Sequence, residues 1–324
     1  MSDFAEHLAP LLDGVPAALV DEEARRRMLA LGTQLPAGFA FQTFGFECPL
    51  LDAAGHADIL VSAVRARDGM AVLAEAYRAQ PDWNSVGTLG RLEEAAQVDD
   101  AWLEFDLFGP RPHVPNLFCR PLYPAGDLDA LRAAVMISGE VLTGAFLPAD
   151  LLDAVLRVGA ALPPHAMIFQ LGAMRARPFS GLRVCVNQIA LDAILTLLDR
   201  IGYSDVHGVR ALLIRFQPAV GDVTLCVDLT PDLRPKIGLE AYFAPSRTGR
   251  TPGALLDRFL ERAIEDRACR EDKAEALRRY QAAGDIVTGG HRFQRGVHHI
   301  KLVHEPGLPY QAKAYLAVRH ALAR

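Results

Sequence analysis

Five times along the chain an alternating run of apolar and polar residues meets a turn containing Pro or Gly and then resumes as a second alternating run. Two copies show the plan most plainly: VTLCVDLTPDLRPKIGLEAYFAP beginning at Val223, and VHHIKLVHEPGLPYQAKAYLAV beginning at Val297. Each reads as two strands of period two around a proline-containing turn, with a Tyr near the end of the second strand. A third copy, WLEFDLFGPRPHVPNLFCRPLYP, starts at Trp102, and a fourth, MIFQLGAMRARPFSGLRVCVN, starts at Met167. A weaker fifth runs from about Gln42 through FGFECPL to ADILVSAVR, ending at Arg65. Self-similarity on this scale points to a repeat architecture.

Between the hairpins lie segments with helical period or helix-start chemistry. They cover residues 2–12 and 16–31, then 70–79 with a short helix opened by Thr88, then 127–137 and 148–158, 189–201 and 205–216, and finally 252–263 and 270–280. Acidic residues occupy the first turn of the 127–137 segment, where they complement the helix dipole. Ser204 reads as the cap of 205–216, whose Val206, Val209, Leu213 and Phe216 have helical spacing, although VRALLIRF alone fits a strand as well. Thr251 caps the next segment, with Pro252 at its first helical position.

The repeating unit is therefore helix, helix, strand, strand, five times over residues 1–324, read as a single domain. This predicts an α/β (α+β) fold: a closed ten-stranded antiparallel barrel with an outer ring of helices. Closure removes strand edges that would otherwise invite aggregation, and an open sheet of ten strands is unusual. In such a barrel the outward residues meet helices and the alternate residues face a lumen. The sequence divides accordingly. Ala312, Ala314, Leu316 and Val318 oppose Lys313 and Tyr315; Ile300 and Leu302 oppose His299 and Lys301; Ile237, Leu239, Ala241 and Phe243 oppose Lys236, Glu240 and Tyr242. Further upstream, Leu225 and Val227 oppose Cys226 and Asp228, Leu182 and Val184 oppose Arg183, and Leu103 and Phe105 oppose Glu104 and Asp106. A sheet whose polar face is simply wet shows the same alternation. Five-fold repetition with helices on one face favours closure instead.

Composition narrows the chemistry. With 51% hydrophobic and 23% charged residues the chain can bury a large core. A net charge of -5 and an isoelectric point near 6.1 give no footprint for nucleic acid. The five cysteines are scattered and form no C-x-x-C pair, so they read as reduced side chains of a cytoplasmic protein. The first twelve residues carry Asp3, Glu6, His7 and Pro10, and the apolar stretch 133–147 is broken by Glu140, so neither export nor a membrane span is expected. Phosphate-loop, dinucleotide, nucleophile-elbow and H-E-x-x-H motifs are missing, as is an Asp-rich D-D-x-x-D. His291, His298, His299 and His304 cluster in sequence, yet adjacent strand residues point to opposite faces, so His298 and His299 are not expected to share an ion.

The repeat plan resembles the barrel of aromatic (ABBA-type) prenyltransferases, whose members include indole and tryptophan, phenol and cyanobactin-like peptide prenyltransferases. The resemblance covers nearly the whole chain and rests on repeat count plus a few positions. In FGFECPL, Glu47 stands where indole-type members carry the carboxylate that accepts the indole N–H. Lys313-Ala314-Tyr315 is similar to the family's K-x-Y pair, and Glu240-Ala241-Tyr242 to another with its basic residue replaced. The sixth strand departs, offering Arg183, Cys185 and Asn187 instead of R-x-K-x-Y, and the fourth offers Asn116, Phe118 and Arg120.

The resemblance implies transfer of a dimethylallyl or longer prenyl group from a prenyl diphosphate donor to an electron-rich aromatic acceptor, indole or tryptophan first. Alternatives are a peptide acceptor bearing Trp or Tyr, or a barrel that carries a hydrophobic anion without turnover. Diphosphate departure needs converging cations, for which Arg65, Arg183, Lys236, Lys301 and Lys313 are the candidates. Tyr242, Tyr315, Phe118 and Trp102 are candidates to shield the allylic cation. Glu47 is the first candidate for the catalytic carboxylate and Glu104 the second. Indole-type members imply no obligatory metal, although some relatives use magnesium. Each of these residues also has an ordinary structural reading: Glu47 as a satisfied carboxylate, and Lys301 and Lys313 as partners of Glu240 or Asp228 in a substrate-free network.

Overall fold

A computed structural model describes residues 3–80, 83, 98, 100–243 and 253–321. The strands are β1 (Thr43–Pro49), β2 (Asp58–Val64), β3 (Asp100–Phe105), β4 (Asn116–Cys119), β5 (Met167–Ala173), β6 (Leu182–Asn187), β7 (Asp222–Leu229), β8 (Leu233–Tyr242), β9 (Ile286–Thr288), β10 (His291–His304) and β11 (Gln311–His320). All neighbours are antiparallel, in the order β1 to β8, then β10, then β11. Pairing of β11 with both β10 and β1, including Glu47 opposite Tyr315, closes ten strands into the expected barrel. The short β9 was not expected; it folds back on the start of β10 outside the closed ring.

The helices are α1 (Phe4–Leu12), α2 (Glu22–Gly32), α3 (Gly69–Ala79), α4 (Leu128–Thr143), α5 (Ala149–Ala161), α6 (Leu191–Arg200), α7 (Val206–Phe216), α8 (Gly253–Glu265) and α9 (Glu271–Ala283). The helix expected at Thr88, the cap Thr251 and Pro252 at the first helical position lie outside the described residues. Side-chain caps explain several starts: Asp21 accepts from the Ala24 N–H at 2.8 Å, and Asp127 from Ala130 at 2.9 Å. The VRALLIRF segment is helical, and its cap is Asp205, not Ser204. The Asp205 carboxylate accepts from the Gly208 N–H at 2.9 Å, and Val209, Leu212 and Phe216 turn one stripe into the core. Tertiary burial of that stripe decides between the two readings.

The apolar core is the layer between barrel and helices. The outward residues Val184, Leu225, Val227, Ile237, Ala314 and Leu316 are all buried there, beneath helix residues such as Leu131, Val135, Leu197 and Phe259. Helices on the outside leave the alternate strand residues no partner except one another across the lumen. None of the described helices is long and apolar enough to cross a membrane.

Candidate active site

The lumen holds two adjoining cavities, each of about 210 Å³. One lies toward the end where β1 finishes and β11 begins, and its walls are charged: Glu47, Arg177, Arg183, Asp228, Lys236, Lys301 and Lys313. The other lies toward the opposite end, lined by Trp102, Phe118, Phe169, Tyr242, His298 and His299 with Glu104 and Glu240. Arg183, Lys301 and Tyr315 line both. The long strands serve both: β11 supplies Lys313 to the charged chamber and Arg319 to the aromatic one, and β8 supplies Lys236 and Tyr242.

Ion pairs organise the charged chamber. Lys313 Nζ donates to Glu47 Oε1 at 2.5 Å, and the Tyr315 hydroxyl donates to Glu47 Oε2. Arg183 grips Asp228 with two hydrogen bonds of 2.8 and 3.0 Å. Lys301 donates to Glu240 at 3.2 Å. Gly238 makes this reach feasible, since a Cβ there would meet the Lys301 Cε at 2.4 Å. Arg177, from the loop between β5 and β6, crosses to β3: it donates to both oxygens of Asp106, at 2.5 and 2.6 Å, and to Glu104 at 2.6 Å. Lys236 makes no ion pair among the described residues.

These contacts set the titration of the wall. Burial acts to raise the Glu47 carboxyl, but the Lys313 charge and the hydrogen bonds from Lys313 and Tyr315 outweigh it and hold the group below the usual carboxylate range. Burial likewise opposes ionisation of Glu240, which Lys301 and His299 nevertheless keep at about 2. Asp58 faces Glu47 across the β1–β2 ladder. Burial, with the charges of Glu47, Asp106 and Glu104, lifts it to about 8. Burial also raises Glu104 despite Arg177. Lys236 is lowered, by burial and then by the neighbouring Lys313.

Rings organise the aromatic chamber. His299 stacks on Tyr315 with centroids 4.2 Å apart and leans on Tyr242 at 4.9 Å; the Tyr242 hydroxyl donates to Glu240 at 3.1 Å. The Phe118 ring lies over Gly172, where a Cβ would meet it at 2.3 Å. The expectation that His298 and His299 point apart is corrected. A bulge between Val297 and His299 breaks the alternation, both rings line the chamber, and their Nδ1 atoms lie 2.8 Å apart. His304 instead meets Asp205 at 3.0 Å, and His291 meets His320 at 3.1 Å.

The structure thus brings together Glu47, Glu104, Arg183, Lys236, Lys301, Lys313, Tyr242, Tyr315, Phe118 and Trp102 in one continuous wall. Arg65 is a correction. It follows the far end of β2, a strand length from Glu47, and its guanidinium donates to the Val98 carbonyl at 3.1 and 2.8 Å; it lines neither chamber. The chain leaves its strand geometry after Val64, where Arg65–Arg67 form a 3-10 turn, so alternation no longer governs where Arg65 points. Sequence reading missed Arg177, which sits in a turn where no period assigns a face. It also missed Asp58, which alternation back from Leu60 would have placed beside Glu47. Among the described residues no group of three or more His, Cys, Asp or Glu side chains is arranged to hold a metal ion.

No family model and no curated protein sequence matches the chain. Solved structures do. Prenyltransferase PriB, in a ternary complex with L-tryptophan and dimethylallyl thiolodiphosphate, superposes with a TM-score of 0.59 at 16% identity, covering 100% of this chain and 99% of that one. The 6-dimethylallyltryptophan synthase from Micromonospora olivasterospora, in complex with DMASPP and Trp, gives 0.56 at 11% identity over 98% and 97%. The 5-dimethylallyltryptophan synthase from Streptomyces coelicolor gives 0.50 at 15% over 97% and 93%. End to end, then, this chain carries the barrel fold of the aromatic prenyltransferases.

Proposed function

We propose that the protein transfers a dimethylallyl group from dimethylallyl diphosphate to the indole ring of tryptophan. The observation that carries this reading is the meeting of a cationic chamber with an aromatic one at Arg183, Lys301 and Tyr315, with the Tyr315 hydroxyl on Glu47, inside a closed barrel. Two of the similar structures hold tryptophan with a thiolodiphosphate analogue, and a further PriB structure holds product diphosphate.

In this reading the diphosphate rests on Arg183, Lys236, Lys301 and Lys313, whose side chains converge on the charged chamber and can give it charge-assisted hydrogen bonds. The allylic C–O bond breaks with its electron pair leaving on the diphosphate. The allylic cation then faces Tyr242, Tyr315, Phe118 and Trp102, each aromatic face worth about 0.5–2 kcal/mol to a cation. Glu47 accepts the indole N–H, orienting the ring and raising its electron density; the ring carbon forms the new C–C bond and passes its proton to the released diphosphate. Glu104, paired with Arg177 on the wall of the aromatic chamber, is the second candidate. The donor set is cationic, so the reading requires no metal. The five unpaired, buried cysteines agree with a cytoplasmic setting.

The test is incubation of the purified chain with labelled dimethylallyl diphosphate and L-tryptophan in the presence of EDTA, with product analysis by mass spectrometry. Prenylated tryptophan is expected, and Glu47→Gln should lower kcat by about 100-fold or more. Donor binding without transfer to any indole acceptor would instead establish a carrier. Transfer only to a Trp-containing peptide would reassign the acceptor.

A further inference from the structure

Glu47 is 2% exposed and both its oxygens are occupied, Oε1 by Lys313 and Oε2 by the Tyr315 hydroxyl. The charged groups around it provide no substitute for Lys313. Asp58 and Glu104 are acidic, and Arg177 is committed to Glu104 and Asp106. A buried carboxylate stripped of its counter-ion is strongly disfavoured unless another donor replaces it. Lys313 itself is less enclosed, its side chain 27% exposed against 3% for Glu47, and it opens into the chamber that holds Lys236. A diphosphate entering there would meet Lys236, which has no ion pair among the described residues, and would compete with Glu47 for Lys313.

We propose that Lys313 is shared between the two substrates: the donor diphosphate draws it off Glu47, and the acceptor N–H takes the vacated place on that carboxylate. This inference rests on the prenyl-transfer reading and adds a thermodynamic consequence to it. Donor without acceptor leaves Glu47 under-satisfied, and acceptor without donor must compete with an ammonium. Each substrate therefore tightens the binding of the other. Linkage requires the same factor in both directions, and couplings between sites commonly amount to about 5- to 150-fold. An ammonium has three N–H donors and could reach the diphosphate without leaving Glu47, in which case the coupling vanishes.

Calorimetry decides. L-Tryptophan is titrated into the chain with and without saturating dimethylallyl thiolodiphosphate, and the analogue with and without tryptophan. The expected result is a fall of at least about 5-fold in each Kd, by the same factor. Lys313→Met should bind the analogue through Arg183, Lys236 and Lys301 and lose the coupling, which Lys313→Arg restores. Glu47→Gln severs the pair from the other side; it should bind the analogue at least as tightly as the parent and also lose the coupling. Independent binding of both ligands to the parent chain, or full coupling surviving in Glu47→Gln, overturns the inference while leaving prenyl transfer intact. Failure of the parent chain to bind the analogue overturns both.

Discussion

The two chambers are built from the same strands yet hold their residues in place by different means. In the charged chamber position comes from ion pairs: Arg183 with Asp228, Lys313 with Glu47, Arg177 with Glu104 and Asp106. In the aromatic chamber it comes chiefly from ring contacts, with His299 stacked on Tyr315 and tilted against Tyr242, beside the Lys301–Glu240 pair where the two chambers meet. The difference matters energetically. Removing one member of a buried pair strands a charge, whereas trimming a ring loses contact area and a quadrupole. A cationic site can then stay neutralised until its anionic ligand arrives, while the aromatic site needs no such exchange and can be complete beforehand.

The sharpest break in that contrast is Arg183→Met, which leaves Asp228 without its partner. Urea denaturation should show a loss of about 3–5 kcal/mol, and the additional change Asp228→Leu should recover most of it. If Arg183→Met costs as little as trimming a ring, the chamber is not organised by its pairs.

Asp58 gives a second test through pH, smaller than the first over any single pH unit. Its value of about 8 in the folded chain lies above the ordinary 3.8, so between those pH values the folded chain binds a proton that the unfolded chain has released. Stability should therefore fall as pH rises from about 4 to 8, with a slope of at most about 1.4 kcal/mol per pH unit. The loss is complete above about 8. Asp58→Asn, which keeps an oxygen for the Leu107 N–H, should remove that slope in thermal or urea unfolding at several pH values. Glu47 acts in the opposite sense and in another window, since its depressed value contributes stability that is lost as pH drops below the ordinary 4.5.

The smallest expected effect belongs to the rings. Tyr242→Leu should leave the fold unchanged and raise the transition state by about 0.5–2 kcal/mol, seen as more prenyl alcohol from water attack relative to prenylated tryptophan. An unchanged product ratio would remove Tyr242 from the cation's surroundings.

Much of this was legible because strand alternation is local. Outward Val227, Ile237 and Ala314 and inward Asp228, Lys236 and Lys313 follow from a period of two, and five copies of one plan imply closure. Where the chain departs from a strand, legibility ends. Arg65 was misplaced one residue beyond β2, His298 was misplaced at a bulge, and Arg177 was overlooked in a turn.

The sequence by itself determined which side chains turn inward, because side-chain direction in a strand depends only on position along it. Only the tertiary structure decided who meets whom across the lumen: that Glu47 is held by Lys313 and Tyr315 while Asp58 sits beside it, and that one end is charged and the other aromatic. Lys313 and Tyr315 lie 266 and 268 positions from Glu47 in the chain, and register, bulges and closure, which are properties of the assembled sheet, set the distances between partners.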